Sequence, residues 1–283
     1  MNTWEEAVES LRNDPGQEWL VRACYYDDPL LDAANRYVND DEWKAVKSLL
    51  PPTPGKVLDI GAGRGISSYA FAKNGWEVTA LEPNPSLVVG AGAIASLAKL
   101  GNCNIQVVEE WGESLPFSDE IFDVVYGRAV FHHARDLESF CEEASRVLKP
   151  GGLFLITREH VISKHQDLEI FLKNHPLHHL YGGEAAYLLE EYENAISAAG
   201  LCIVKRIGPA SSPINYFPHT QEEHWKTLKA TLIKTLGWKG GYYALPLLRS
   251  SKFRSWVEGI HDESDSLAGR LYSFLCEKRR IGT

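Results

Sequence analysis

The stretch Val57-Leu58-Asp59-Ile60-Gly61-Ala62-Gly63-Arg64-Gly65 decides the fold. A short apolar run ends in an acid and a cluster of glycines, and a helix-like segment follows. This order predicts a strand, a tight turn and a helix N-terminus, where open α/β sheets bind nucleotide-like ligands. Ile66 stands where a dinucleotide-binding turn needs its third glycine, and the Lys and Ser/Thr of a P-loop are absent. The turn therefore favours a nucleotide-like ligand outside those two phosphate-binding classes.

Strands and helices alternate from this stretch onward. Apolar runs predict strands over 57–60, 77–81, 105–108, 122–126, 153–157 and 202–207. Helical patterns closed by glycine or proline lie between them, over 66–74, 87–100, 137–148 and 185–199. The alternation predicts an α/β fold with a Rossmann-like, doubly wound, mostly parallel sheet.

The two ends of the chain predict helices around this sheet. Residues 1–50 form an N-terminal helical cover, residues 51–208 the ligand-binding core, and residues 209–283 a mostly helical C-terminal extension. The extension shows two helical stripes, Trp225-Leu228-Leu232-Leu236 and Leu267-Leu271-Phe274-Leu275. Only six strands are clear, so a seventh lies in the extension or is missing.

Composition excludes several classes of protein. The 283 residues carry a net charge of −9, which argues against nucleic acid as a partner. Five scattered cysteines without CxxC spacing argue against a disulfide framework and favour a reducing compartment. The acidic N-terminus has no signal-peptide core and no apolar run is long enough to span a membrane. We expect a cytoplasmic protein without a membrane partner, of undetermined oligomeric state.

A set of motifs in fixed order gives the chain a family resemblance. After residues 57–65 come Glu82, the segments 113–117 and 122–125, and Arg146-Val147-Leu148-Lys149-Pro150-Gly151-Gly152. Together they resemble the class I S-adenosylmethionine (SAM)-dependent methyltransferases, of the type 11 or type 25 kind, over roughly residues 50–208. The resemblance implies SAM as cofactor and a seven-stranded sheet with an antiparallel edge strand.

The resemblance also implies a set of cofactor contacts. Asp59 would lie near the ammonium group of SAM, and Glu82 would accept hydrogen bonds from the ribose hydroxyls. Gly61 and Gly63 would let the backbone approach the methionine part, because glycine needs no Cβ space. Where many relatives have an adenine-binding Asp, this chain has Trp111, which either packs on adenine or belongs to the core. The full set of expected cofactor residues is Asp59, Gly61, Ala62, Gly63, Glu82, Pro83, Trp111, Gly112, Glu113 and Arg128.

Histidines gather where the family places the methyl acceptor. His132 and His133 follow the fourth strand and His160 follows the fifth, so each is a candidate general base or a structural residue. Arg158, Glu159, His179 and Tyr181 are candidate substrate residues, because strand ends of such sheets face the ligand crevice. The stretch 175–184 favours a polar recognition loop over a metal site, since Pro176 and two glycines interrupt any helix face. A merely structural loop is equally compatible with these residues. No supporting carboxylate for a metal at His132 or His133 can be identified in the sequence. We therefore expect no metal.

Three functions are compatible with these residues. The first is methyl transfer from SAM to an oxygen, nitrogen or carbon atom of a small molecule, which the enclosing end segments favour. The second is a protein methyltransferase, which needs an open groove. The third is a SAM-binding scaffold or regulator without turnover.

Overall fold

The computed structural model describes residues 3–280 and is built around one eight-stranded sheet. The spatial order is β3-β2-β1-β4-β5-β8-β7, and a short β6 pairs with the far end of β5. The strands are β1 (Lys56–Ile60), β2 (Glu77–Leu81), β3 (Ile105–Val108), β4 (Phe122–Arg128), β5 (Leu148–Ile162), β6 (Tyr187–Leu188), β7 (Leu201–Ile207) and β8 (Arg270–Lys278). The pairs among β1 to β6 are all parallel, and β8 is antiparallel to both of its neighbours, β5 and β7. The predicted Rossmann-like, mostly parallel sheet is confirmed.

Helices cover the sheet and also form the segment before β1 and the segment between β7 and β8. The first four, before β1, are α1 (Trp4–Asn13), α2 (Glu18–Ala23), α3 (Leu30–Asn39) and α4 (Asp41–Lys47). Those between the strands are α5 (Ile66–Lys73), α6 (Ala91–Leu100), α7 (Leu137–Val147), α8 (Asp167–Asn174), α9 (Pro176–Tyr181) and α10 (Leu189–Ala198). Between β7 and β8 lie α11 (Pro213–Tyr216), α12 (Gln221–Ala244) and α13 (Ser251–Ser264). Within residues 3–280, no helix combines the length and apolarity that a membrane span requires.

The sheet separates two hydrophobic cores because successive side chains of a strand point to opposite faces. Val57 packs with Trp43 and Phe71 on one face, whereas the next residue, Leu58, packs with Phe154 on the other. Both faces are therefore covered, which explains why β1 is apolar without alternation. The carboxyl ends of β1, β2, β4 and β5 meet at one edge, where the cavity described below opens.

The structure corrects two predictions about secondary structure. The stripe Leu267-Leu271-Phe274-Leu275 is not a helix: residues 270–278 form β8, the seventh long strand, inserted between β5 and β7. Both faces of its central residues, 272–276, are buried, and a continuous apolar run fits a buried strand as well as a helix. The predicted recognition loop is partly helical, because Pro176 occupies the first turn of α9, where its missing N–H costs nothing.

Candidate functional site

The glycine turn forms one end of a cavity of about 640 Å³ at the carboxyl edge of the sheet. Gly61 and Gly63 line it and have φ values of +63° and +55°, which a residue with Cβ rarely adopts. A Cβ on Gly61 would lie 2.2 Å from Cγ2 of Val130. Glycine at this position is thus required by backbone conformation and by space, and Ala62 completes the lining of the turn.

Glu82, at the end of β2, is held against this turn. Its Oε2 accepts a hydrogen bond from the Gly63 N–H at 2.8 Å, and Oε1 accepts one from the Asn84 N–H at 2.9 Å. The side chain is buried and lines the cavity beside Pro83. Burial raises the pKa of Glu82 to about 7, although both backbone donors oppose the rise. Each carboxylate oxygen keeps a second lone pair for a ligand.

Trp111, Gly112 and Glu113 line the next part of the cavity. Trp111 is 52% exposed, which excludes the alternative that it belongs to the core. The guanidinium of Arg135 lies 4.8 Å from its ring centroid. Glu113 accepts a hydrogen bond from the Arg135 N–H at 2.8 Å, so Trp111 and Glu113 both contact Arg135. An aromatic face at the mouth of the cavity is available for a flat heterocycle.

Arg128, one of the expected cofactor residues, pairs with an acidic side chain of the protein. Its Nε lies 2.6 Å from Oε1 of Glu42 and its Nη2 lies 3.0 Å from Oε2, in a bidentate pair. Glu42 is fully buried on α4, and the Arg128 guanidinium also lies over the rings of Tyr25 and Tyr37. Arg128 therefore lines the cavity but is primarily a link between the N-terminal helices and β4.

Aromatic residues from distant parts of the chain cover the cavity; we call Trp4, Tyr26 and Tyr181 the roof. The Trp4 indole donates a hydrogen bond to the Tyr26 hydroxyl at 3.1 Å, and its ring centroid lies 6.4 Å from that of Tyr181. A Cβ added to Gly63 would come within 3.5 Å of Trp4 Cη2. The roof thus joins α1, the end of α2 and α9 above the glycine turn.

The far end of the cavity holds a histidine cluster, formed by His132, His133, His160 and His175 around Glu184. Nδ1 of His132 lies 2.7 Å from Oε2 of Glu159, and Nε2 lies 3.4 Å from Oε2 of Glu184. Burial alone would lower the pKa of His132, but the two carboxylates outweigh it and raise that pKa to about 9. His132 therefore links two carboxylates.

The other histidines of the cluster are held by backbone carbonyls. Nδ1 of His133 lies 2.9 Å from the Gly183 carbonyl and Nδ1 of His160 lies 2.8 Å from the Gly269 carbonyl. A carbonyl only accepts, so Nδ1 carries the hydrogen in both rings and Nε2 has a free lone pair. Burial also lowers the pKa of His160 well below its ordinary value, which keeps this ring neutral.

A bulge in β5 separates the predicted substrate residues on this strand into one that lines the cavity and one that does not. The register against β8 shifts between Ile156 and Glu159, and Arg158 has a φ of +65°. Arg158 lines the cavity, yet its Nη1 donates to the carbonyls of Ile214 and Phe217 at 2.8 and 3.0 Å. Glu159 is fully buried, lies outside the lining and accepts hydrogen bonds from the backbone and ring of His132. It supports His132 and does not face a substrate.

Two further predicted residues lie outside the lining. His179 is exposed on α9, with Nε2 2.6 Å from the Lys173 carbonyl, because the helix turns it away from the cavity. Asp59 is buried behind the glycine turn, where Oδ2 accepts from the hydroxyls of Ser67 and Ser68 at 2.7 and 2.5 Å. Its Oδ1 is buried without a partner among the described residues, and burial raises the pKa of Asp59 to about 6.

The sequence did not single out Glu42 or Arg64, and it indicated His175 and Glu184 only as members of the stretch 175–184. Glu42 resembles an ordinary solvated acid in the first turn of a helix, so no sequence signal marks it. Glu184 had a signal: Gly182 and Gly183, both at positive φ, turn the chain so that the next side chain enters the cavity. Arg64 is buried in the glycine turn, where its Nε has no partner among residues 3–280.

Comparison with known proteins agrees with this geometry. A family profile described as a methyltransferase domain matches residues 58–156. A ubiquinone biosynthesis O-methyltransferase from Rhizobium leguminosarum bv. trifolii is 30% identical over 173 residues, which cover 60% of this chain and 68% of that protein.

Solved structures share the fold. A putative sarcosine dimethylglycine methyltransferase from Galdieria sulphuraria superposes with a TM-score of 0.56 at 21% identity, covering 97% of this chain and 98% of that one. A geranyl diphosphate methyltransferase, solved with geranyl diphosphate and sinefungin, gives a TM-score of 0.57 at 15% identity, over 84% and 76% of the two chains. The motifs occur in the order of the family, the sheet has the expected strand order, and a relative is matched over two thirds of its length. The chain therefore belongs to the class I SAM-dependent methyltransferases and uses SAM as its methyl donor.

Proposed function

We propose that this methyltransferase acts on a hydroxyl group of a small molecule bound at the histidine end of the cavity. The observation that carries the proposal is one continuous cavity running from Gly61 and Glu82 to His133 and His160. Its volume of about 640 Å³ lies in the range of ~300–1,000 Å³ typical of small-molecule sites. Donor and acceptor can therefore be held in the same space.

The residues at the glycine end fit SAM. Glu82 would accept the ribose hydroxyls, and Trp111 would pack on adenine beside Gly112 and Glu113. The backbone of residues 61–63 would contact the methionine part. The unpartnered Nε of Arg64 is a donor suited to the methionine carboxylate. When bound, SAM supplies an electrophilic methyl group on a sulfonium whose thioether is a good leaving group.

The protein's main task is then alignment and proton removal. Alignment of the hydroxyl oxygen with the methyl carbon can contribute roughly 7–11 kcal/mol. The oxygen–methyl bond forms as the carbon–sulfur bond breaks, and the electron pair leaves with sulfur. Among the three candidate bases, we assign the hydroxyl proton to Nε2 of His133. Both ring nitrogens of His132 lie within 3.4 Å of a carboxylate oxygen, whereas the Nδ1–H of His133 is fixed by the Gly183 carbonyl and its Nε2 lies 3.8 Å from Glu184.

Two observations favour a small acceptor over a protein. Trp4, Tyr26 and Tyr181 cover the cavity, whereas a peptide acceptor needs an open groove. The O-methyltransferase name of the Rhizobium relative supports an oxygen nucleophile.

A catalytically silent SAM-binding scaffold would not need a base at the acceptor end. The scattered cysteines without CxxC spacing support a reducing compartment, and we propose the cytoplasm.

The test is production of S-adenosylhomocysteine from SAM with a panel of small hydroxyl compounds, small amines and unstructured peptides. We expect turnover with at least one hydroxyl compound and none with peptides. His133→Ala should lower kcat about 10²-fold or more with S-adenosylhomocysteine affinity unchanged. Turnover confined to amines or peptides would contradict the proposed acceptor, and S-adenosylhomocysteine binding without any turnover would favour the scaffold.

A further inference from the structure

Three side chains from separate elements meet at the acceptor end of the cavity. His132 follows β4, His160 lies on β5, and Glu184 follows the glycine pair after α9. Each offers one ligand atom, and the three atoms all lie within 4.8 Å of one another. His132 Nε2 and Glu184 Oε2 are already 3.4 Å apart. Ligands of a tetrahedral zinc ion with ~2.0–2.1 Å bonds lie about 3.3 Å apart, so small side-chain movements would close the site.

We propose that His132, His160 and Glu184 bind a divalent transition-metal ion whose open coordination position faces the cavity. Imidazole and carboxylate ligands suit Zn²⁺, Fe²⁺ or Co²⁺, whereas Mg²⁺ and Ca²⁺ prefer oxygen ligands alone. Three protein ligands leave a position for an exchangeable ligand, as in catalytic zinc sites. The sequence argued against a metal here because no supporting carboxylate could be identified, and the fold supplies two.

The second of these carboxylates, Glu159, orients the proposed metal ligand His132. Glu159 is fully buried and accepts from the backbone N–H and from Nδ1 of His132, at 2.9 and 2.7 Å. The Gly269 carbonyl holds Nδ1 of His160 in the same way, at 2.8 Å. Metal-binding histidines are characteristically oriented by a carboxylate or carbonyl on the other ring nitrogen, which directs the free nitrogen to the ion.

An ion-paired cluster without metal explains less of this arrangement. One imidazolium between Glu159 and Glu184 would be sufficient for charge balance. The structure places more rings there: the His160 centroid lies 4.7 Å from that of His132, and the His175 centroid lies 5.1 Å from that of His160. Nδ1 of His175 is buried without a hydrogen-bond partner among residues 3–280 and lies 3.9 Å from Glu184 Oε1. A metal ion accounts for several imidazole rings gathered around one carboxylate.

The role of the ion rests on the proposed function, although its binding does not. Because the cluster lines the same cavity as Gly61 and Glu82, the open position faces the space for the methyl acceptor. An acceptor hydroxyl bound there would be positioned by the ion and made more acidic by it. Its proton would leave to His133 or to water, its oxygen would take the methyl group, and the sulfur would depart with the electron pair. Acceptors with two adjacent oxygens would gain most, because they chelate.

The test uses full-length protein freed of metal by a chelator and dialysis. Titration with Zn²⁺ by calorimetry, and with Co²⁺ by visible absorption, should show one ion per chain. His160→Ala and Glu184→Gln should each weaken Zn²⁺ binding tenfold or more, and Glu159→Gln should weaken it about 10–100-fold. His165→Ala, which removes an exposed histidine outside the cluster, should leave affinity unchanged. Circular dichroism confirms that each variant folds.

Each outcome separates this inference from the proposed function. No Zn²⁺ or Co²⁺ binding, or equal losses in His160→Ala and His165→Ala, overturns the metal site. Turnover of a hydroxyl compound that persists unchanged in chelator overturns the role of the ion and leaves the proposed function standing. One ion bound through the cluster, without turnover of any hydroxyl compound, supports the site and contradicts the proposed acceptor.

Discussion

Glu82 is both a structural part of the cavity wall and a candidate group for binding the cofactor. It accepts hydrogen bonds from Gly63 and Asn84, and burial raises its pKa to about 7. The pKa of Glu82 is near 4.5 in the unfolded chain and about 7 in the folded protein, so the free energy of unfolding decreases as the pH rises from about 4.5 to about 7. The charged form is nonetheless the better acceptor for the ribose hydroxyls, because neither of its oxygens carries a hydrogen. Because the pKa of Glu82 is about 7, we expect cofactor binding to depend on pH near neutrality.

We predict that S-adenosylhomocysteine affinity falls as the pH decreases through about 7. A carboxyl group with that pKa is about nine-tenths protonated one pH unit lower, so affinity should fall towards tenfold per unit below pH 7. Glu82→Gln should bind roughly tenfold or more weakly at pH 8, because a charge-assisted hydrogen bond is lost. Its affinity should be flat between pH 6 and 8. Calorimetry measures both, and a flat wild-type profile would contradict the assignment.

At the scale of elements, the buried pair Glu42–Arg128 fastens α4 to the end of β4. Glu42→Ala leaves the Arg128 guanidinium buried without its partner, which should lower the free energy of unfolding by about 3–5 kcal/mol. The matched control is the exposed pair of Lys44 and Asp41 on the same helix, where Lys44→Ala should cost at most about 1 kcal/mol. Urea denaturation gives both values, and equal losses would refute a structural role for the pair.

The strand β8 gives a second comparison. Phe274 is fully buried between the layers, whereas Leu267, which lies on the same stripe in the sequence, is 70% exposed. Phe274→Ala should lower the free energy of unfolding by about 3–5 kcal/mol and Leu267→Ala by no more than about 0.5 kcal/mol. A helix with this stripe facing the core would make both substitutions costly. Denaturant unfolding of the two variants therefore distinguishes the strand from the predicted helix.

These elements also show what sequence could predict. β1, β2 and β4 were recognisable because each is a short apolar run between glycine turns and helices. β8 was not, since a strand buried on both faces has no alternation to distinguish it from a helix. The glycine turn and Glu82 carry a local motif, but Glu42 and Glu159 act through partners 86 and 27 residues away. Such pairings depend on topology, and a single sequence does not specify them.

At the scale of the whole molecule, the cavity is assembled from nearly the full length of the chain. Its lining begins at Trp4 and ends at Leu271 on β8. The N-terminal helices supply the roof, the sheet edge supplies the floor, and the segment from α9 to Glu184 closes the acceptor end. Access to the cofactor end therefore depends on residues far from the motifs that identify the family.

Trp4 tests this dependence, because its indole joins Tyr26, Tyr181 and the glycine turn. Trp4→Ala should open the roof and weaken S-adenosylhomocysteine binding on the order of tenfold, mainly through faster dissociation. The matched control is Trp19→Ala, since Trp19 is 60% exposed and lies outside the lining. Stopped-flow measurement of dissociation, alongside unfolding free energies, separates loss of the roof from general destabilisation. If both variants release the ligand at the wild-type rate, the N-terminal helices do not retain the cofactor.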